Sequence, residues 1–187
     1  RQMCIRDRVD AGANSLTLQP NFNNYGDGTD PFWVDQTTGL GNKIFEGNTY
    51  VEDNTLVGSQ LTFEGSVSSY TISPDYQVLA FIKVFNADFS FLKQENFEIT
   101  TTGNFSVSYT NVEASDAVVQ YGFQVIGLNA NPTNEAALGS VVVGEPVAPD
   151  LVELPVTFES ATANYNVIGF GGVDPAVETN PDQTGIN

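Results

Sequence analysis

Histidine is absent from this 187-residue chain, which removes the Ser-His-Asp and Cys-His catalytic arrangements and every histidine metal site. Basic residues are scarce: six Lys plus Arg stand against 23 Asp plus Glu, a formal net charge of −17. A field of that sign repels phosphate backbones and anionic head groups, so neither nucleic acid nor a membrane surface is an expected partner. No apolar run approaches the roughly 18 residues that a membrane-spanning helix needs. Cysteine occurs once, as Cys4. The remainder has none, which fits an exported protein without disulfides and a cytosolic one equally. What is plentiful is core material: 13 Phe, seven Tyr and a 41% hydrophobic share exclude disorder for the body of the chain.

The first eight residues, RQMCIRDR, hold all three arginines, the only Cys and the only Met. The string resembles translated sequencing-adapter read-through, the alternatives being a basic arm or the tail of a signal peptide. We set residues 1–8 apart as a non-native stretch. Beyond them only Lys43, Lys83 and Lys93 face 22 acidic residues, beside 18 Asn. Such a surface suits salty water, where the Debye length falls below the roughly 8 Å of physiological salt and self-repulsion is screened.

Period-two alternation bounded by turn residues recurs along the body. Tyr76, Val78, Ala80, Ile82 and Val84 alternate with Gln77, Leu79, Phe81 and Lys83. Val119, Tyr121, Phe123 and Val125 alternate with Val118, Gln120, Gly122 and Gln124. Leu61, Phe63, Gly65 and Val67, and then Phe105, Val107 and Tyr109, follow the same rule. Further strands are expected near Ser15–Leu18, Lys43–Glu52, Phe89–Ile99 and Leu138–Val143. Single helical turns are expected at Asn111–Asp116 and Asn134–Leu138. Eight or nine strands without an amphipathic helix predict an all-β, antiparallel β-sandwich over residues 9–144. Jelly-roll connectivity is the expected version, because this strand count is typical of it.

Residues 145–153 (EPVAPDLVE) combine prolines and acids without alternation, and read as an extended linker. A fresh strand begins at Leu154. Residues 154–187 are too few to bury a core of their own. They are either a strand pair docking back or the truncated start of a second β-sandwich module, and we favour the second.

The segments VEDNTLVGSQLTFEGSV (51–67), YQVLAFIKVFNADFS (76–90) and VVQYGFQVIGLNANPTNEAALGSVVV (118–143) resemble an accessory β-sandwich module of secreted bacterial proteins. Such modules are similar to galactose-binding-like carbohydrate-binding domains. LPVTFES…FGGVDPAVETNPDQTGIN (154–187) resembles the opening of a second module found in multidomain proteins of marine bacteria. The resemblance implies an extracellular or cell-surface accessory role beside polysaccharide-active domains. Its implied partners are a polysaccharide such as a β-glucan or another algal glycan, and neighbouring domains of the same chain.

Sugar recognition needs a flat ring to stack on a pyranose, with amides and carboxylates taking the hydroxyls. Trp33, the only Trp, lies among turn residues, where it is either an exposed platform or a core plug. Tyr25, in the loop NFNNYGDG, is the next ring. Gln120 and Gln124 share a strand face, and Gln77 and Lys83 take a comparable place on another strand. If those strands are neighbours, the four form a polar patch; the plainer reading is a solvated outer face. Asn129 and Asn131 are expected to be turn formers first, through αL backbone or Asx-turns, and rim ligands second.

The resemblance also implies a possible structural calcium, which wants several oxygen ligands. Asp27, Asp30 and Asp35 cluster in one loop and Glu52, Asp53 and Asn54 in another, without EF-hand spacing. No catalytic residue is assigned: a glycosidase needs a carboxylate pair, whereas Glu113 and Asp116 fall in a loop and Glu95 and Glu98 point to opposite faces. The expectation is a non-catalytic carbohydrate-binding module, the alternative a structural spacer or adhesion module with no small-molecule ligand.

Overall fold

The computed structural model describes residues 8–110 and 117–148. The expectations for residues 1–7, for the turn at 111–116 with its Glu113 and Asp116, and for everything from 149 onward lie outside the described residues. Within them are nine strands: β1 (Arg8–Asp10), β2 (Ser15–Leu18), β3 (Ile44–Glu52), β4 (Leu61–Tyr70), β5 (Gln77–Phe85), β6 (Phe91–Ile99), β7 (Gly103–Tyr109), β8 (Val118–Leu128) and β9 (Val141–Gly144). The one described α-helix is a single turn, α1 (Glu135–Leu138).

The strands form two antiparallel sheets, a five-stranded one ordered β1-β2-β9-β4-β7 and a four-stranded one ordered β3-β8-β5-β6. Successive strands from β2 to β5 alternate between the sheets, and so do β6 to β9. This is the expected all-β sandwich. Its core lies between the sheets, where Val78, Ala80, Ile82 and Val84 of β5 meet Phe105, Val107 and Tyr109 of β7 and Val141 and Val143 of β9. Each fully buried large side chain in such rows contributes about 1.5–3 kcal/mol.

Arg8 begins β1, pairs with Thr17, and places its guanidinium 2.6 Å from Glu135. One boundary departs from the sequence reading. β9 starts only at Val141, because α1 and a left-handed Gly139 (φ 68°) occupy the residues before it. Glu145 and Val147, beyond β9, are fastened down. Ser66 Oγ donates to the Glu145 carbonyl at 2.6 Å, and Asn104 brackets Val147, donating to its carbonyl at 2.9 Å and accepting from its amide at 3.2 Å.

The alternation in β5 and β8 also differs from a half-buried pattern. Leu79 and Phe81 on the outward face of β5 are as buried as their core-facing neighbours. Both strands are central in the four-stranded sheet, so large side chains on flanking strands cover that face.

Candidate functional site

The outward face of the four-stranded sheet is a ladder of polar and aromatic rows fixed by the strand register. Glu52, Gln120, Lys83 and Gln94 lie side by side across β3, β8, β5 and β6. The next row is Tyr50, Gly122, Phe81 and Asn96, and the one after it Asn48, Gln124, Leu79 and Glu98. Glycine at 122 is required: a Cβ there would lie 2.1 Å from the Thr49 carbonyl oxygen and 2.7 Å from Tyr50 Cα. Gln120 and Gln124 flank this close approach of the two strands, and four residues of strand rise set them about 13 Å apart.

Lys83 lies over the same face. Its Nζ lies 4.4 Å from the Phe81 ring centroid and donates to Asn48 Oδ1 at 3.1 Å. Burial pushes the Lys83 ammonium below its ordinary pKa, and the carboxylate of Glu46 opposes the shift. Gln120 donates to Glu52 Oε2 at 2.9 Å. Gln124 is 1% exposed, and its Nε2 has no hydrogen-bond partner among the described residues. An unmet buried donor of this kind costs about 1–3 kcal/mol.

The four candidates Gln77, Lys83, Gln120 and Gln124 therefore share one face of neighbouring strands, but three of them are not solvated. Lys83, Gln120 and Gln124 are buried, whereas Gln77 is exposed at the margin and donates to Glu98 Oε1 at 3.0 Å. The plainer reading of a solvated outer face is thus corrected for the centre of the sheet. Width is the reason: a middle strand flanked by Tyr50, Gln94 and Lys83 has little water left above it.

The rings nearest this face are ones that sequence reasoning missed. Phe85 and Phe91 pair directly at the end of the ladder, beyond the Lys83 row. Their ring centroids are 6.0 Å apart, and Phe89 lies 6.5 Å from Phe85. Phe89 and Phe91 are 59% and 60% exposed, and Tyr50 on the same face is 37% exposed. The β5–β6 turn that carries Phe89 is held by its polar residues. Asp88 Oδ1 accepts from the Ser90 amide and hydroxyl at 2.9 and 2.6 Å, and Asn86 Nδ2 donates to Ser90 Oγ at 2.8 Å. Phe89 has φ 62°, a conformation that a bulky residue seldom adopts. Its signal was the pattern Phe85-Asn-Ala-Asp-Phe89-Ser-Phe91, three phenylalanines around turn formers.

Trp33 and Tyr25 lie elsewhere, in the long β2–β3 connection. Trp33 is half-buried in an aromatic group, edge-on to Phe32 at 4.7 Å and 5.7 Å from Phe45. It is neither the free platform nor the core plug. Phe32 beside it is the more exposed ring, at 57%, with Lys43 Nζ 4.3 Å over its face. Tyr25 is buried, and its hydroxyl donates to the Gly39 carbonyl at 2.7 Å. That ring is taken up by packing and offers no stacking surface.

Asn129 is likewise structural. It is 1% exposed, its Oδ1 accepts from the Lys43 amide at 3.1 Å, and its Nδ2 donates to the Trp33 carbonyl at 3.0 Å. Gly41 packs so closely on this asparagine that a Cβ would lie 1.7 Å from the Asn129 carbonyl oxygen. Asn129 thus clamps the loop instead of forming a turn, and it is not among the residues with positive φ. Asn131 does act locally: its Oδ1 caps a 3-10 turn by accepting from the Thr133 amide and hydroxyl, with φ −66° and not αL.

The five proposed calcium ligands are not brought together. Asp27 and Asp53 each accept from the amide and hydroxyl of the threonine two residues on, Asp30 from the Phe32 amide, and Asp35 from the Thr37 and Thr38 amides. Those bonds, led by the Thr29 and Thr55 hydroxyls at Asp27 and Asp53 and by the Thr38 amide at Asp35, hold the three carboxyls below their ordinary pKa. Glu52 serves Gln120 instead. Among the described residues no group of three acidic, histidine or cysteine side chains is placed to hold a metal ion. Glu95 and Glu98 stand opposite Ile82 and Leu79 and so on opposite faces of β6.

Compared with known proteins, the chain matches no protein-family model, no curated protein and no solved structure.

Proposed function

We propose that this chain is a non-catalytic carbohydrate-binding accessory module of a secreted multidomain protein, and that glycan lies along the outward face of the four-stranded sheet. The observation that carries the reading is the join of amides and rings on one surface. Half-buried Asn48 and Gln94 and exposed Asn96 offer amide groups, while Tyr50, Phe89 and Phe91 offer exposed aromatic area beside them. Amides match sugar hydroxyls as donors and acceptors, and rings match the apolar faces of pyranoses. The strand orders β2-β9-β4-β7 and β3-β8-β5-β6 are those of two interleaved Greek keys, which supports the jelly-roll version of the fold. A bacterial origin, an extracellular location and a β-glucan or other algal ligand rest on the sequence resemblance.

The competing reading is a structural spacer or adhesion module without a glycan site, and the burial of Tyr25 favours it. Glycan-array binding by the full chain separates the two. Under the carbohydrate reading, a Tyr50→Ala/Phe91→Ala variant with an unchanged circular dichroism spectrum loses at least tenfold in affinity, while Trp33→Ala retains its binding. No glycan bound by the wild-type chain, with or without calcium, leaves the spacer reading.

A further inference from the structure

The five-stranded sheet is incomplete beside the first half of β4. β7 pairs with Leu61 to Val67 on one side of that strand, whereas β9 reaches only Ser66 to Tyr70 on the other. Among the described residues no strand pairs with the second side of Leu61 to Gly65. Backbone N–H and C=O groups on such an edge form a ready template for another strand. Strand length is the cause: β2 and β9 have four residues each, against nine in β3 and 11 in β8. Val51, paired with Tyr121 on the core-facing side of β3, is left 51% exposed.

Two cavities border this edge, and Phe63 lines both. One, of about 450 Å³, has Phe105 and Phe123 among its lining and Asp10, Glu64 and Glu145 at its polar margin. The other, of about 230 Å³, is lined by Leu56, Leu61, Ile82 and Tyr121. A strand laid along β4 presents alternate side chains on one face, about 6.7 Å apart, so successive apolar residues suit a pair of cavities. Charge sets the partner's other requirement. Three acids and no Lys or Arg line these cavities, on a chain of net charge −17. An acidic segment is repelled here, and a basic one is drawn in.

We propose that the open edge of β4 at Leu61 to Gly65 takes up an extended, cationic segment of a partner protein by strand addition, with apolar side chains in the two cavities and Lys or Arg at the acidic margin. The site is on the opposite sheet from the glycan face and does not depend on that reading.

The test titrates the full chain with a capped nonapeptide alternating valine and lysine, and with its valine–glutamate analogue. Amide hydrogen exchange and titration calorimetry report the outcome. The lysine peptide is expected to bind and to slow exchange at least tenfold at those amides within residues 61–65 that do not donate to β7. Its glutamate analogue is expected not to bind. Glu64→Lys combined with Glu145→Lys weakens the lysine peptide at least tenfold; if the double variant melts early, Glu64→Gln alone gives a smaller loss in the same direction. Protection elsewhere or nowhere, equal binding of the two peptides, or undiminished binding by the charge variants overturns the proposal. So does protection, in the free chain, of the amides of 61–65 that do not donate to β7, with sedimentation telling a second copy from the chain's own residues.

Discussion

Removing the side-chain amide of Asn129 tests the reading of the β2–β3 connection as a clamped element. Its Oδ1 and Nδ2 satisfy the Lys43 amide and the Trp33 carbonyl at 3.1 and 3.0 Å, groups 86 and 96 residues away in sequence. Asn129→Ala leaves the Lys43 amide without this partner at a site 1% exposed, while the Trp33 carbonyl keeps its bond from the Asn42 amide at 2.9 Å. With one unmet donor, the expected loss is about 1–3 kcal/mol. For a domain of this size that lowers Tm by about 4–12 °C. Asn129→Asp is the sharper version. A carboxylate keeps the bond from the Lys43 amide but turns an oxygen against the Trp33 carbonyl and buries a charge, so it is expected to be worse than alanine at neutral pH. The folded-state pKa of that Asp is raised, so the penalty begins as pH climbs past the unfolded value of about 3.9 and lessens again on acidification. Denaturant melts at pH 4 and pH 7 give both numbers. A loss below about 0.5 kcal/mol for Asn129→Ala, or an Asp variant more stable at pH 7 than at pH 4, refutes the clamp.

The same geometry sets three further outcomes. Gln124→Met replaces an amide with an unpartnered nitrogen by an apolar chain of similar length, and is expected to raise stability by about 1 kcal/mol in chemical denaturation; a loss of that size means the amide is satisfied. Phe89→Gly relieves a left-handed backbone at φ 62°, and is expected to leave stability unchanged or raise it by up to about 1 kcal/mol by thermal melt, whereas a clear loss means the ring is packed. The depressed carboxyls of Asp27, Asp35, Asp53 and Asp88 contribute stability that is present above the ordinary carboxylate pKa and is lost as pH falls through their lower folded-state values. Scanning calorimetry should therefore show weakening below about pH 4, and millimolar calcium should add nothing beyond its ionic strength, since these acids serve separate turns.

The strands were legible because a buried face imposes period two on the residues that form it, as at Phe105, Val107 and Tyr109. Turn chemistry was legible for a similar reason at Asn131, which caps the short turn that begins at the next residue, because local bonding needs only local sequence. Neighbour relations were not legible. Nothing along the chain announces that Lys83 stands beside Gln120, or that Tyr50 and Gln94 flank the same row. Nor does it say that Asn129 will serve a loop whose residues lie about 90 positions earlier. The rings illustrate the difference. Rarity and loop context drew attention to Trp33 and Tyr25, but exposure is set by what packs against a ring. Tyr25 found the Gly39 carbonyl, while Phe89 and Phe91 were carried outward by a turn.

The amino-acid order alone determined the all-β class and most of the strand spans, since alternation and turn residues are properties of the chain itself. Tertiary structure alone decided which polar residues share a face, which of them are buried, and which stretch of β4 has a side left unpaired among the described residues. Those depend on register and on the lengths of strands far apart in sequence, which meet only when the two sheets close.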